Sequence, residues 1–422
     1  MNIPEKRQFP LTPLQLTLTI SVKIILSCLY GYLFLRFYGG DDTWAMNREG
    51  ILQAELLKSN PGQFFRELAP AAGIQAYEGL AFLQHYFSDL EFYLQAKTLA
   101  VFNLLTGGNY YLNAALFVLV SFWGPYWLFL LLNDHFPGRK KLLFGLVFLF
   151  IPVVFWLSGI RSDAFLFFFL SMLLLCFSRS FQKTSLLHFS GILIGFTGTL
   201  IFRSPYALLL VPAMLSWWLV VESKKRVSVA FVAIYGICLL VFFGSYYFSP
   251  KHAGTQYIVG KQQEFFALEG NTRYDLDSLD AAPSSFIKIL PEAAANTILR
   301  PYPGEAKGML QLVSVLENVF VWMVMALPVL FIFLYRKYST LYSRPKQKED
   351  FQPIIETLHR PFFWAMLIYC LSLYLLIGYI VPFPGAIVRY RAIPELILLC
   401  LLLSIFYPML ASFFPGKQRR KN

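Results

Sequence analysis

The chain has 422 residues, of which 57% are hydrophobic and 14% are charged, and apolar runs long enough to cross a bilayer recur along it. This composition excludes an ordinary soluble domain, and the runs lack the alternation of a porin-like barrel. The net charge of +12 lies in short loops and at the C-terminus, so it indicates membrane anchoring and not a nucleic-acid partner.

Hydropathy predicts an all-α polytopic membrane protein with about ten transmembrane helices. The predicted spans are 16–38, 110–133, 142–158, 163–178, 186–201, 204–221, 228–248, 310–335, 361–381 and 392–414. The basic clusters between these spans fall on one side, which should be cytoplasmic together with both termini. The segment 90–106 would make an eleventh span, but it is short and carries Glu91 and Lys97. We therefore expect it to lie along the outer interface.

The predicted domain organisation is one integral membrane domain, 1–422. Residues 39–108 form a first outer loop with interfacial helices, 249–308 a second outer loop, and 336–360 a cytoplasmic loop. The five cysteines lie inside apolar runs without metal-ligand spacing, so neither disulfides nor a metal site is expected.

An acidic pair, Asp41 and Asp42, follows the first predicted span directly, after Gly39 and Gly40. The two glycines let the backbone turn where the helix leaves the bilayer. Carboxylates at the mouth of a span are costly to keep there and mark a functional site. Glu49 is a further acidic candidate on the same side.

Arginines also occur on the predicted outer side, against the positive-inside bias, and each should be paired with an acid or with a bound anion. They are Arg161, Arg203, Arg300, Arg389 and Arg391, with Asp163 and Tyr390 as supporting residues. Structural alternatives remain open for three of them. Arg161 and Asp163 could pair with each other, or Asp163 could cap the helix that follows. Arg203 could have the purely structural role of marking a helix start before Pro205. Arg300 could be an interfacial anchor.

A carboxylate and several guanidinium groups on one membrane face suit transfer from a phosphate-activated lipid donor. The carboxylate would take a proton from the acceptor hydroxyl, and the arginines would stabilise the leaving phosphate. A single displacement of this kind inverts the anomeric configuration.

These features resemble the GT-C superfamily of glycosyltransferases, integral membrane enzymes that use polyprenyl-phosphate-linked sugars. The resemblance rests on the acidic pair after the first span, the long first outer loop and the number of spans. It also rests on Val388-Arg-Tyr-Arg-Ala-Ile-Pro394, which is similar to a motif near the end of many members. The stretches Trp156–Asp163 and Asn296–Pro303, the latter followed by Leu316–Asn318, look like motifs of bacterial envelope-glycan proteins.

The resemblance implies a catalytic base at Asp41 or Asp42 and phosphate contacts at Arg389 and Arg391. It implies a lipid-linked sugar donor, a glycan, lipid or protein acceptor, and a bacterial inner (plasma) membrane. Some members of the superfamily need a divalent cation. In this sequence only the acidic pair indicates one, so the identity of any cofactor stays open. The sugar, the acceptor and the oligomeric state stay open as well. Two alternatives remain: an O-antigen or exopolysaccharide polymerase or ligase, and a non-enzymatic transporter or subunit of a glycan-export complex.

Overall fold

The computed structural model describes residues 11–76, 79–268, 273–306, 308–333 and 354–413, and in these residues it is all-helical. Residues 336–353 of the predicted cytoplasmic loop 336–360 lie outside the described residues, and residues 354–360 are described. The chain divides into two compact units, Met1–Leu208 and Leu209–Asn422, which are described separately.

The described part of the first unit contains ten α-helices. They are α1 (Pro13–Tyr38), α2 (Asp42–Ser59), α3 (Pro61–Arg66), α4 (Gly79–Thr106), α5 (Tyr110–Ser121), α6 (Trp123–His135), α7 (Lys140–Phe144), α8 (Ile151–Trp156), α9 (Ser162–Ser180) and α10 (Leu186–Phe202).

Helix α11 (Ser204–Ser223) begins in the first unit and continues into the second. The second unit then contains α12 (Val227–Phe248), α13 (Gly254–Phe266), α14 (Pro283–Leu299), α15 (Met309–Met325), α16 (Pro361–Ile380) and α17 (Pro384–Phe413).

Among the described residues, seven helical segments are long and apolar enough to cross a membrane, and each coincides with one of the ten predicted spans. They are Pro13–Tyr38, Tyr110–His135, Ser162–Ser180, Ser204–Ser223, Val227–Phe248, Gln311–Phe333 and Pro361–Ile380. The other three predicted spans coincide with the α7–α8 region, which a π-helical turn interrupts, with the shorter apolar helix α10, and with α17. The class of polytopic helical membrane protein is therefore supported, and ten crossings remain a prediction.

The turn between α1 and α2 forms where the two glycines predict it. Gly39 and Gly40 adopt φ angles of 73° and 114°, in the left-handed region that favours glycine. Gly39 ends α1 through backbone N–H bonds to preceding carbonyls, and Asp41 then begins α2 as its N-cap. The acidic pair is thus fixed at a helix start.

Small residues allow α10 to pack closely on α9. A Cβ atom built on Gly195 would lie 2.8 Å from the backbone nitrogen of Leu173, and one built on Gly191 or Gly198 would collide with Cys176 or Phe169. The three glycines therefore allow the two helices to approach each other closely. In the second unit, Gly378 of α16 similarly contacts the carbonyl of Ala293 on α14.

Two segments expected as a loop and as a turn contain helices, and the segment 90–106, expected to lie along the outer interface, is helical too. The predicted second outer loop contains α13 and α14, whose apolar residues Ile258, Phe286 and Ile289 pack with Ile377 and Ile380 of α16. The segment 90–106 belongs to the 28-residue helix α4, which is not among the candidate spans.

The second of these two segments is the stretch before 392, expected as an outer turn. Helix α17 already begins at Pro384, because proline fits the first turn of a helix. Arg389, Tyr390 and Arg391 therefore lie on a helix, one turn or more from its start.

Candidate functional site

Asp41 is held by four donors at the start of α2. Its Oδ1 accepts hydrogen bonds from the backbone N–H of Thr43 at 3.1 Å and from the Thr43 hydroxyl at 2.6 Å. Its Oδ2 accepts from the Tyr30 hydroxyl at 3.2 Å and from Arg161 Nη2 at 2.7 Å. With both oxygens occupied, Asp41 connects α1, α2 and the start of α9.

Arg161 is the cation of this cluster, and its side chain is only 9% exposed. Its guanidinium contacts the Tyr30 hydroxyl and lies 5.0 Å from the centre of that ring. Within the described part of the chain, Arg161 Nε is buried without a hydrogen-bond partner. The guanidinium therefore retains donor capacity after it has paired with Asp41.

Asp42 differs sharply from its neighbour. Its side chain is 82% exposed, whereas that of Asp41 is 11% exposed. Asp42 Oδ2 lies 3.9 Å from Arg161 Nη1, at the limit of an ion pair. Asp42 is thus the carboxylate of the pair that an external molecule can reach.

Aromatic side chains fix the wall behind Asp41. The Tyr110 hydroxyl lies 2.8 Å from Thr43 Oγ1, and the Trp44 ring stacks on the Tyr110 ring with centroids 3.9 Å apart. The Trp44 indole N–H donates to the carbonyl of Gly31 at 2.9 Å. A Cβ on Gly31 would collide with the Tyr110 ring, so glycine is required there.

A second ion cluster begins two residues after Arg161. Arg203, the C-cap of α10, donates to both carboxylate oxygens of Glu91 at 2.8 and 3.1 Å and lies 3.5 Å from Asp163. Helix α9 begins at Ser162, so Asp163 lies in its first turn, where a negative charge is favourable. Arg203 and Asp163 are thus paired with each other, and Arg161 is paired with Asp41.

Glu49 lies in a different network from the acidic pair. Gln53 donates to Glu49 at 3.3 Å and to Glu67 at 3.0 Å. The buried Lys97 donates to Gln53 and forms an ion pair with Glu67, each at 2.9 Å. This network fastens α2 to α4, and burial together with the nearby Glu67 carboxylate raises the pKa of Tyr93 beside it.

The remaining predicted arginines lie in the second unit. Arg391 is 1% exposed, and its Nε lies 2.8 Å from Glu395 Oε2 one turn further along α17. Its Nη1 donates to the carbonyls of Thr297 and Arg300 at 2.7 and 2.8 Å. Arg391 therefore satisfies carbonyls at the C-terminal end of α14.

Arg300 and Arg389 are more accessible than Arg391. Arg300 is paired with Glu305 and stacks its guanidinium 3.8 Å from the centre of the Tyr274 ring. Burial raises the pKa of Tyr274, and the Arg300 charge opposes this rise. Arg389 is partly buried and donates from Nη2 to the Tyr390 hydroxyl at 3.0 Å.

The site residues fit a divalent cation poorly. Among the described residues there is no group of three or more His, Cys, Asp or Glu side chains that could hold a metal ion. Both oxygens of Asp41 are engaged by protein donors, which leaves Asp42 as a single carboxylate. We therefore derive no step through a metal.

Several residues of these clusters were not predicted. Tyr30 lies within an apolar run and gives no sign of its role, and Glu91 was read only as a charge that argues against a span. Glu395 stands four residues after Arg391, a spacing that pairs charges on a helix. The sequence carries this signal, but the turn predicted before 392 places Arg391 outside the helix.

Comparison of the chain with family models, with curated proteins and with solved structures finds no match. The function must therefore be argued from the site alone.

Proposed function

We propose that the protein is a membrane glycosyltransferase that transfers a sugar from a polyprenyl-phosphate donor to a glycan, lipid or protein acceptor on the outer face of a bacterial inner membrane. One observation carries this proposal. An exposed carboxylate, Asp42, lies beside a buried guanidinium, Arg161, which keeps an unused donor. General-base catalysis and phosphate recognition need these two groups side by side.

In the proposed reaction, Asp42 accepts the proton of the acceptor hydroxyl. The acceptor oxygen forms a bond to the anomeric carbon, and the bond from that carbon to the phosphate oxygen breaks. The bonding electron pair leaves with the phosphate, and the anomeric configuration inverts. Arg161 donates to the leaving phosphate, and Asp41 positions Arg161.

The charge balance of the cluster favours this division of roles. Asp41, Asp42 and Arg161 together carry a net charge of −1 when both acids are ionised, which repels a donor phosphate. When Asp42 takes up the acceptor proton, the net charge of the three side chains changes from −1 to zero. At the same time, negative charge grows on the leaving phosphate. The cluster thus stabilises the transition state more than the ground state, as catalysis requires.

Of the two arginines to which the resemblance assigns phosphate contacts, Arg389 is the more accessible one. It is only partly buried, whereas Arg391 is enclosed by Glu395 and two backbone carbonyls. Arg391 is assigned to positioning the end of α14.

Mass spectrometry of lipid-linked and envelope glycans tests the proposal, in deletion cells complemented with wild type, Asp42→Asn or the control Asp134→Asn. Loss of one sugar in the deletion and in Asp42→Asn, with recovery by the control, supports a glycosyltransferase. Complete glycan units that stay unpolymerised or untransferred would instead indicate a polymerase or ligase. No change in any glycan would overturn both.

A transporter remains the second candidate because of one observation. Arg391, Glu395 and Glu317 are all buried in helices that coincide with predicted spans. Charges enclosed within spans are typical of ion and proton pathways. Substrate uptake into vesicles containing the purified protein would distinguish transport from transfer.

A further inference from the structure

Helix α14 runs antiparallel to α16 and lies beside the last part of that candidate span. A Cβ atom built on Gly378 would collide with the carbonyl of Ala293, and the Thr297 hydroxyl donates to the carbonyl of Tyr374 at 2.7 Å. Tyr374 precedes the end of α16 at Ile380 by six residues, or about 9 Å along the helix. The C-terminal end of α14 therefore lies level with the interior of α16 and not with its end.

The length of α16 places this level inside the hydrocarbon core of a bilayer. α16 has 20 residues, which gives it a length of about 30 Å, and the hydrocarbon core is also about 30 Å thick. A point about 9 Å from the end of α16 is then surrounded by protein or acyl chains. A helix can end there only if its free carbonyls find partners within the protein.

Side chains of two neighbouring helices supply these partners. Four consecutive carbonyls at the end of α14 accept hydrogen bonds from α15 or α17, namely those of Thr297, Ile298, Leu299 and Arg300. The donors are Arg391 of α17, at 2.7 and 2.8 Å, and Trp322 and Asn318 of α15, at 2.6 and 2.9 Å. The end of α14 thus meets the requirement for backbone at membrane depth.

The chain returns after α14 to the side from which α14 entered. Asn318 of α15 and Arg391 of α17 both donate to the end of α14, and further along the two helical segments the rings of Phe331 and Phe406 lie 5.6 Å apart. α15 and α17 therefore run parallel. Because α17 begins at Pro384, just after the end of α16, α15 also begins at that end.

The exposed side chains of α14 are mainly apolar. Ile287, Leu290 and Leu299 are 71%, 41% and 37% exposed. The only acid of the helix, Glu292, is half-buried and accepts a hydrogen bond from the buried Asn296 side chain at 3.4 Å. Apolar side chains exposed at membrane depth are solvated by acyl chains, because hydrocarbon is the solvent there.

The basic groups of the segment lie near the end of α16. Lys288, the only basic residue of α14, is in its second turn. Arg300 is paired with Glu305 and stacks its guanidinium 3.8 Å from the centre of the Tyr274 ring. The Tyr274 hydroxyl in turn donates to the carbonyl of Val381, the residue after α16, at 2.7 Å. Both cations can therefore reach the membrane surface.

We propose that α14 is a re-entrant membrane helix, which enters the bilayer beside α16, ends inside the hydrocarbon core and presents its exposed apolar side chains to the acyl chains of that leaflet. The segment that follows α14 leaves through the same surface. This assignment explains why Arg391 is buried in α17: its guanidinium caps a helix at a depth where water cannot do so.

Spin labels on single introduced cysteines test the proposal in the full-length protein, reconstituted in vesicles of phosphatidylethanolamine and phosphatidylglycerol. The variants are Ile287→Cys, Leu290→Cys and Leu299→Cys. Collision with dissolved oxygen, which concentrates among acyl chains, should increase in that order, and collision with a water-soluble nickel chelate should fall severalfold. This gradient is expected because Leu299 lies about 18 Å further along α14 than Ile287.

Three controls calibrate the measurement. Labelled wild type gives the background, since the native cysteines are buried or half-buried. Glu264→Cys on α13, at a side chain that is 50% exposed, gives the value for water. Met323→Cys on α15, at a residue that is 59% exposed, gives the value for acyl chains, which Leu299→Cys should match.

Two results would overturn the proposal. Nickel access at Leu299→Cys as high as at Glu264→Cys would place the end of α14 in water. Equal access at the three positions of α14 would place the helix along the membrane surface. If Leu299→Cys does not fold, Ala294→Cys replaces it and should still exceed Leu290→Cys in oxygen collision.

Discussion

Substitution of the two adjacent aspartates by asparagine should separate a stabilising role from a catalytic one. Asparagine keeps the shape of aspartate and caps helices equally well, so Asp41→Asn removes little except the charge. That charge faces Arg161 at 2.7 Å in a pair whose side chains are 9% and 11% exposed. Asp42→Asn removes a charge that is 82% exposed.

The expected magnitudes differ for the two variants. Removing one partner of a buried ion pair costs about 3–5 kcal/mol, and Asp42, 3.9 Å from Arg161, should keep Asp41→Asn near the lower end of that range. An exposed pair contributes about 0–1 kcal/mol, so Asp42→Asn should unfold like wild type. Loss of a general base should reduce transfer by about 10²–10⁴-fold in Asp42→Asn.

Thermal unfolding in detergent and a transfer assay with lipid-linked sugars measure the two effects separately. Asp134→Asn is the matched control, since Asp134 forms a 3.0 Å pair with Arg179 in which the side chains are 30% and 18% exposed. It should lower stability slightly and leave transfer unchanged. The reasoning fails if Asp41→Asn unfolds at the wild-type temperature, or if Asp42→Asn keeps full activity.

Two further substitutions test the packing behind the sites. Gly378→Ala should lower the unfolding temperature strongly, because its Cβ would meet the carbonyl of Ala293, whereas Gly236→Ala, with no atom within 4 Å, should not. Thr43→Val should cost about 1–3 kcal/mol in thermal unfolding, because Asp41 loses a donor and the Tyr110 hydroxyl loses its partner; a variant as stable as wild type would contradict this.

The helices could be predicted largely from hydropathy, because a membrane span must satisfy its own backbone and therefore forms a long apolar run. The glycine turn before the acidic pair was also predictable, since its residues directly determine the backbone conformation. The segment 249–308 is amphipathic and not uniformly apolar, so hydropathy predicts an outer loop there. The structure shows that this segment contains the helices α13 and α14.

The sequence predicts which type of partner each outer arginine has, but not which residue that partner is. Arginines against the positive-inside bias were expected to face acids or anions, and Arg161 and Arg203 do face acids. Their partners are 120 and 112 residues away in sequence, so only tertiary packing selects them. No local pattern distinguishes Asp41 from Asp42 either, because the choice depends on which carboxylate faces Tyr30.

The two units use the same inventory, two carboxyls and one arginine, with opposite access to water. In the first unit the second carboxyl, Asp42, is solvated, so it can carry its charge and exchange a proton with a bound acceptor. In the second unit the second carboxyl, Glu317, is 4% exposed and gains no hydration. The same set of groups therefore leaves Asp42 accessible and encloses Glu317. Solvent exposure, more than residue type, thus decides which of these acids an external molecule can contact.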